Sequence, residues 1–173
     1  MSSSRRVAPC NPLYDQGMQV LIVRHGHAID YDAAPDDGLR WLTSSGRIET
    51  AKLATHLRDQ GHRWTAMYTS PLVRAVQTAE ILARVQTEEQ PVQTHWALSL
   101  DAGTTAQALS MLDDATDNDF IVLVSHMPKV RVLAAHLLGE SNFPSFATAG
   151  ACLIEIHNDR GTLKWMIEPN QLP

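Results

Sequence analysis

From Met18 onward, short apolar runs rich in β-branched residues alternate with longer segments in which apolar residues recur at helical spacing. That alternation predicts βα units and hence an α/β fold: a mostly parallel but mixed central sheet with helices on both faces. Strands are predicted over residues 19–24, 65–69, 92–96, 120–125, 151–157 and 162–167. The Asn158-Asp159-Arg160-Gly161 segment between the last two reads as a hairpin turn, which makes the sheet mixed at one edge. Three helical stripes lie between the strands. The widest is Val130, Leu133, Ala134, Leu137 and Leu138, with Gly139 as its stop. A weaker one runs through Ile48, Ala51, Ala54 and Leu57 to Gly61, and a third, Leu72, Val76, Ala79, Leu82 and Ala83, is opened by Pro71 with Ser70 as its cap.

Residues 1–17 carry Ser, Pro and Gly punctuation without periodicity and read as an N-terminal extension outside the fold, leaving 18–173 as a single domain. A chain of 173 residues has room for one sizeable core. With 44% apolar and 19% charged residues it is neither disordered nor collagen-like. The net charge of −5, with 11 Arg and 3 Lys, excludes a surface built for non-specific nucleic-acid binding. No apolar run reaches the ~20 residues of a membrane helix, and Cys10 and Cys152 match no metal-ligand or redox spacing. A cytoplasmic monomer without membrane contact, metal or cofactor is expected.

The candidate chemistry lies at strand exits. Arg24-His25-Gly26 follows the apolar run Val20-Leu21-Ile22-Val23, and ligands of open α/β sheets bind beyond the carboxyl ends of strands. Arg24 offers a planar fork for phosphate oxygens, and His25 an imidazole that is neutral and nucleophilic near pH 7. Gly26 lets the chain turn sharply and brings backbone N–H groups close to an anion. Thr69-Ser70-Pro71 leads into a helix whose N-terminus attracts anions, with Arg74 one turn in. Ser125-His126 ends a further apolar strand. Alone, Arg74 reads as a solvated helix residue and His126 as a structural one; their coincidence at three exits of one sheet points to a phosphate site.

The Arg24-His25-Gly26 exit, the Ser70-Pro71-x-x-Arg74-Ala75-x-Gln77-Thr78 segment and the Ser125-His126 pair, in that order, resemble the three signatures of the histidine phosphatase superfamily, the phosphoglycerate-mutase-like group. Met18-Gln19-Val20, Lys164-Trp165 and Glu168-Pro169-Asn170 are similar to the small SixA-type phosphohistidine phosphatases within it. The resemblance implies that His25 is a transiently phosphorylated nucleophile while Arg24, Arg74 and His126 hold the phosphoryl oxygens. Phosphoryl transfer needs in-line positioning and neutralisation of the equatorial oxygens, which two arginines and a protonated His126 supply without a metal. His25 must then be neutral and His126, facing a dianion, charged.

Larger members of the superfamily carry a Leu-x-Glu segment after the third strand whose Glu protonates an alcohol leaving group; here the stretch is Leu98-Ser99-Leu100-Asp101. Leu100 cannot donate a proton, and Asp101 is the adjacent candidate acid, although Asp is also an ordinary turn residue there. A P–N bond needs less acid assistance than a phosphate ester, so a missing Glu leans toward a phosphohistidine-bearing signalling or carrier protein as substrate. The rival readings are a small-molecule phosphomonoesterase using Asp101 or a loop residue such as Asp37 as its acid, and a non-catalytic phosphate- or phosphoprotein-binding module. The chain is short for a lid, which implies an open cleft.

Overall fold

A computed structural model describes residues 17–87 and 90–172; residues 1–16 of the expected extension lie outside that range. Six strands form one sheet: β1 (Met18–Arg24), β2 (Ala66–Thr69), β3 (Val92–Thr94), β4 (Phe120–Ser125), β5 (Ala151–His157) and β6 (Arg160–Ile167), in the order β3-β2-β4-β1-β5-β6. The first four run parallel, while β5 is antiparallel to β1 and β6 to β5, so the sheet is mixed at one edge as predicted. His157 pairs with Arg160 across a two-residue turn in which Asn158 (φ 49°) and Asp159 (φ 60°) are both left-handed, the conformation that matches strand twist. Arg160 and Gly161 therefore belong to β6 rather than to the turn.

The α/β layering follows from period-two burial in strands covered on both faces. Val20 and Ile22 of β1 face one cluster with Ile121, Leu123, Cys152 and Ile154. Leu21 and Val23 face the other with Val122, Val124 and Leu153. Helix α4 (Lys129–Leu138) closes the first face through Val130, Leu133 and Ala134, and it ends, as predicted, at a left-handed Gly139. Helices α1 (Ser44–Asp59) and α2 (Val73–Ala83) close the second through Leu53, Leu57, Ala75 and Leu82. A short α3 (Thr105–Leu109), absent from the sequence reading, opens on a capping box in which Thr104 accepts from Gln107 N and the Gln107 side chain accepts from Thr104 N. Among the described residues no helix is long and apolar enough to cross a membrane.

Two stripes differ from the prediction. In α1 the buried positions are Gly46, Thr50, Leu53, Ala54 and Leu57, whereas Ile48 is 60% exposed and Ala51 faces outward. The helix is rotated because its first turn lies on the β1 exit: a Cβ on Gly46 would stand 2.1 Å from the His27 carbonyl oxygen. In α2 the buried set is Arg74, Ala75, Thr78, Ala79 and Leu82, so a charged side chain occupies the inner face of the first turn. Ser70 does not cap α2; Leu72 stands at that position, and the Ser70 hydroxyl accepts the Leu72 N–H at 3.3 Å. Strand β3 stops at Thr94, and Trp96–Leu98 turns into a 3-10 helix.

Gly46→Ala tests the close approach of α1 to the β1 exit. In an exposed helix that change stabilises by about 1 kcal/mol; here it is expected to destabilise by about 2 kcal/mol through overpacking, read as a lower denaturation midpoint at unchanged slope.

Candidate active site

Parallel register brings the three exits together. Arg24 pairs with Ser125 and Thr69 with Val124, so His25 and His126 leave the sheet side by side, with Ser70 one register position behind them. The His25 N–H donates to Ser125 O (3.0 Å) and the Ser70 N–H to Val124 O (2.9 Å), extending the ladder one residue past each strand. The imidazoles of His25 and His126 consequently meet with ring centroids 4.8 Å apart. The first turn of α2, which follows the β2 exit, brings Arg74 in, with only 2% of its surface exposed. Three separate sequence predictions thus converge on one cluster of Arg24, His25, Arg74 and His126.

Each ring is oriented by a neighbour. His25 Nδ1 lies 2.8 Å from Gly26 O; a carbonyl can only accept, so Nδ1 carries the proton and Nε2 keeps a free lone pair. His126 Nε2 lies 2.7 Å from Ser70 Oγ. That oxygen also accepts from Leu72 N, and among the described residues its own proton has no acceptor besides Nε2, so we assign it to that bond, which leaves the His126 proton on Nδ1. Ser70 therefore sets a tautomer rather than capping a helix, a role whose only sequence signal is its place at a strand exit. Gly26, expected to direct its N–H at an anion, instead donates it to Thr78 Oγ1 at 3.0 Å. Its lack of a side chain serves packing, since a Cβ there would meet Thr50 Oγ1 at 2.6 Å.

The arginines are anchored by part of their donor sets. Arg24 NH1 donates to Phe146 O (2.6 Å), in a loop tied down by Glu168, whose two carboxylate oxygens accept the Ala147 N–H. Arg74 NH1 and NH2 donate to Asp37 O (2.6 Å) and Asp37 Oδ2 (2.8 Å), and Arg40 NH1 donates to Asp37 Oδ1 (2.9 Å). Of the five buried side-chain nitrogens without a partner among the described residues, three belong to this cluster: Arg24 Nε, Arg74 Nε and His126 Nδ1, the others being Trp64 Nε1 and His95 Nδ1. Buried polar atoms are ordinarily satisfied, at a cost of about 1–3 kcal/mol when they are not. Three orphans from three converging elements form a set of donors suited to a tetrahedral oxyanion.

Burial holds both imidazoles neutral. It lowers the pKa of His25 to about 4 against the bond to Gly26 O, with Arg74, Arg24 and Arg40 acting in the same direction as burial. His126 falls to about 2, through burial first and then the charges of His25, Arg74 and Lys129, which Asp37 opposes. His126, expected to be protonated toward a dianion, is neutral in the protein alone, yet its Nδ1–H is still a donor. Asp101 is exposed, and its charge bears on Lys129, whose Nζ donates to Ala97 O (2.6 Å) and Ala102 O. It is not among the charges that act most on either imidazole. Ser125 Oγ donates to Leu98 O at 2.6 Å and is structural.

The sequence model described as histidine phosphatase superfamily (branch 1) matches residues 20–99. A phosphohistidine phosphatase SixA from Escherichia coli is 30% identical over 158 residues, 90% of this chain and 96% of that protein. The solved structure of the protein histidine phosphatase SixA complexed with tungstate superposes with a TM-score of 0.78 at 26% identity, over 89% of this chain and 99% of that one. A mycobacterial glucosyl-3-phosphoglycerate phosphatase shares the fold at 18% identity, with a TM-score of 0.68 over 87% and 99% of the two chains. This chain belongs to the histidine phosphatase superfamily.

The imidazole states are open to NMR. His25 is expected to stay neutral until the pH approaches about 4, with its resonance identified by loss in His25→Asn. Unfolded histidine titrates near pH ~6.5, so the unfolded state binds more protons below that point. Stability conferred by the neutral pair is therefore present above pH ~6.5 and lost as pH falls toward the folded values, and His25→Asn should flatten that decline.

Proposed function

We propose that this chain is a metal-independent phosphohistidine phosphatase that removes phosphate from a protein histidine through a covalent phospho-His25 intermediate. Phosphatase chemistry of the histidine-phosphatase type follows from the family; the substrate class is our reading. The observation that carries it is the state of the carboxyl group bonded to the cluster. Burial favours the neutral form of Asp37, but hydrogen bonds and charge from Arg40 and Arg74 outweigh it and hold the group below the usual carboxylate range. An ionised Asp37 has no proton for an alkoxide. Glu168, whose pKa burial raises, turns both oxygens onto the Ala147 N–H, and Asp101 is exposed. Among the described residues the site is rich in donors to a phosphoryl group and has no evident acid, which suits a leaving group that departs as a neutral imidazole.

In the reaction we infer, Arg24 Nε, Arg74 Nε and His126 Nδ1–H hold the phosphoryl oxygens, and His25 Nε2 attacks phosphorus in line. The P–N bond to the substrate breaks with its electron pair passing to the ring nitrogen. Water then attacks phospho-His25, releasing inorganic phosphate and restoring the neutral ring. Preorganised donors in a buried site supply the stabilisation that a flexible cation in water would lose to reorganisation. The tungstate complex of the SixA relative supports the reading, because tungstate is a tetrahedral oxyanion.

The test is turnover of a histidine-phosphorylated phosphotransfer protein against a panel of small phosphate esters. We expect release of phosphate from the protein, an acid-labile phosphoryl group trapped on His25, and a loss of at least about 10³-fold in His25→Ala, since the covalent route is removed altogether. Efficient hydrolysis of esters with the phosphoprotein left intact would overturn the substrate assignment.

A further inference from the structure

Asp37 reaches the cluster without belonging to any of the three signature segments. It opens a 3-10 turn, Asp37–Leu39, whose preceding residue Asp36 accepts the Leu39 N–H through its side chain at 3.1 Å. Arg40, from the same segment, is fixed at its other end by Nε donating to Ile29 O at 2.7 Å. The carboxylate is held from two sides, by Arg40 on Oδ1 and by Arg74 on Oδ2. Each oxygen has capacity for a further hydrogen bond, and the Asp37 side chain is 32% exposed while that of Arg74 is 3% exposed. Asp37 thus stands on the solvent side of a buried arginine, bonded to both of its terminal nitrogens, and its charge acts on His126 in the cluster.

That position matters for the group attached to phosphorus. A phosphorylated imidazole protonated at its second nitrogen has a ring N–H and a positive charge. When P–N cleavage returns the electron pair to the phosphorylated nitrogen, it leaves as neutral imidazole with that same proton, so none has to be supplied. An ester of a carboxylated alcohol presents an anionic group instead. Resting on the substrate class proposed above, we propose that Asp37 is the specificity-determining residue of this site: its carboxylate accepts the free ring N–H of the phosphorylated imidazole and repels carboxylate-bearing phosphate esters. The group that would serve as proton donor in an ester phosphatase serves here as an acceptor. Two arginines keep it ionised and aimed, and its charge leaves their combined positive charge in excess toward the phosphoryl group.

The experiment compares kcat/KM for a histidine-phosphorylated phosphotransfer protein and for 2-phosphoglycolate in the parent, Asp37→Asn and Asp37→Glu. The ratio of the two values should fall about tenfold in Asp37→Asn, the effect of one charge-assisted hydrogen bond, and return most of the way in Asp37→Glu, which keeps the charge. Equal losses on both substrates would mean that Asp37 only positions Arg74, and would overturn the inference while leaving the phosphohistidine reading intact. A parent protein that turns over phosphoglycolate and not the phosphoprotein would overturn both.

Discussion

Everything at this site depends on the parallel register of three adjacent strands. Because β1, β4 and β2 run the same way and pair Arg24 with Ser125 and Val124 with Thr69, residues distant in sequence leave the sheet within one register position of each other. Adjacent strands lie about 4.8 Å apart, and the two imidazoles inherit that spacing. A slip of one residue in any pairing would turn a strand's core face to the wrong side. The strands are buried on both faces, so the apolar clusters that stabilise the domain also hold the register, and core packing and catalytic geometry are the same constraint seen from two ends.

The fold brings cationic groups into a place where cations are costly, and each is compensated differently. Arg24 uses a backbone carbonyl, Arg74 a carboxylate and a carbonyl of the same residue, and the two histidines shed their charge. The compensation is incomplete at three nitrogens of the cluster, Arg24 Nε, Arg74 Nε and His126 Nδ1. A stability-optimised core would have satisfied them or removed them. In the mechanism we propose, retaining them preorganises donors toward a phosphoryl group, which trades some folding free energy for electrostatic stabilisation of the transferring group.

The strands and α4 were legible because apolar runs bounded by Gly, Pro and Asn leave little ambiguity. The site residues were legible because a polar residue directly after such a run marks a strand exit. The inner face of α1 was not. Ile48 and Ala51 fit the apolar period as well as Leu53 does, but the first turn is pressed on the β1 exit through Gly46 and Thr50, and that contact sets the rotation of the helix. Gly26 was read for its N–H when its real constraint is the absence of a Cβ, because both uses of glycine leave the same letter in the sequence. Asp37 is a candidate acid for the small-molecule reading because a carboxylate near a phosphate site invites that role; two arginines, Arg40 three residues on and Arg74 in the first turn of α2, hold it ionised instead.

The sequence alone determined the class of fold, the three exits and the residue types that meet there, since these follow from local periodicity and from chemistry carried on single side chains. Only the tertiary structure decided how those groups behave. Which ring nitrogen of His25 and His126 holds the proton, that both rings are neutral, that Asp37 is ionised and that Ser70 orients a ring depend on burial and on partners that range from the adjacent Gly26 to residues tens of positions away. Protonation and tautomer are properties of an environment, and no single stretch of this chain contains that environment.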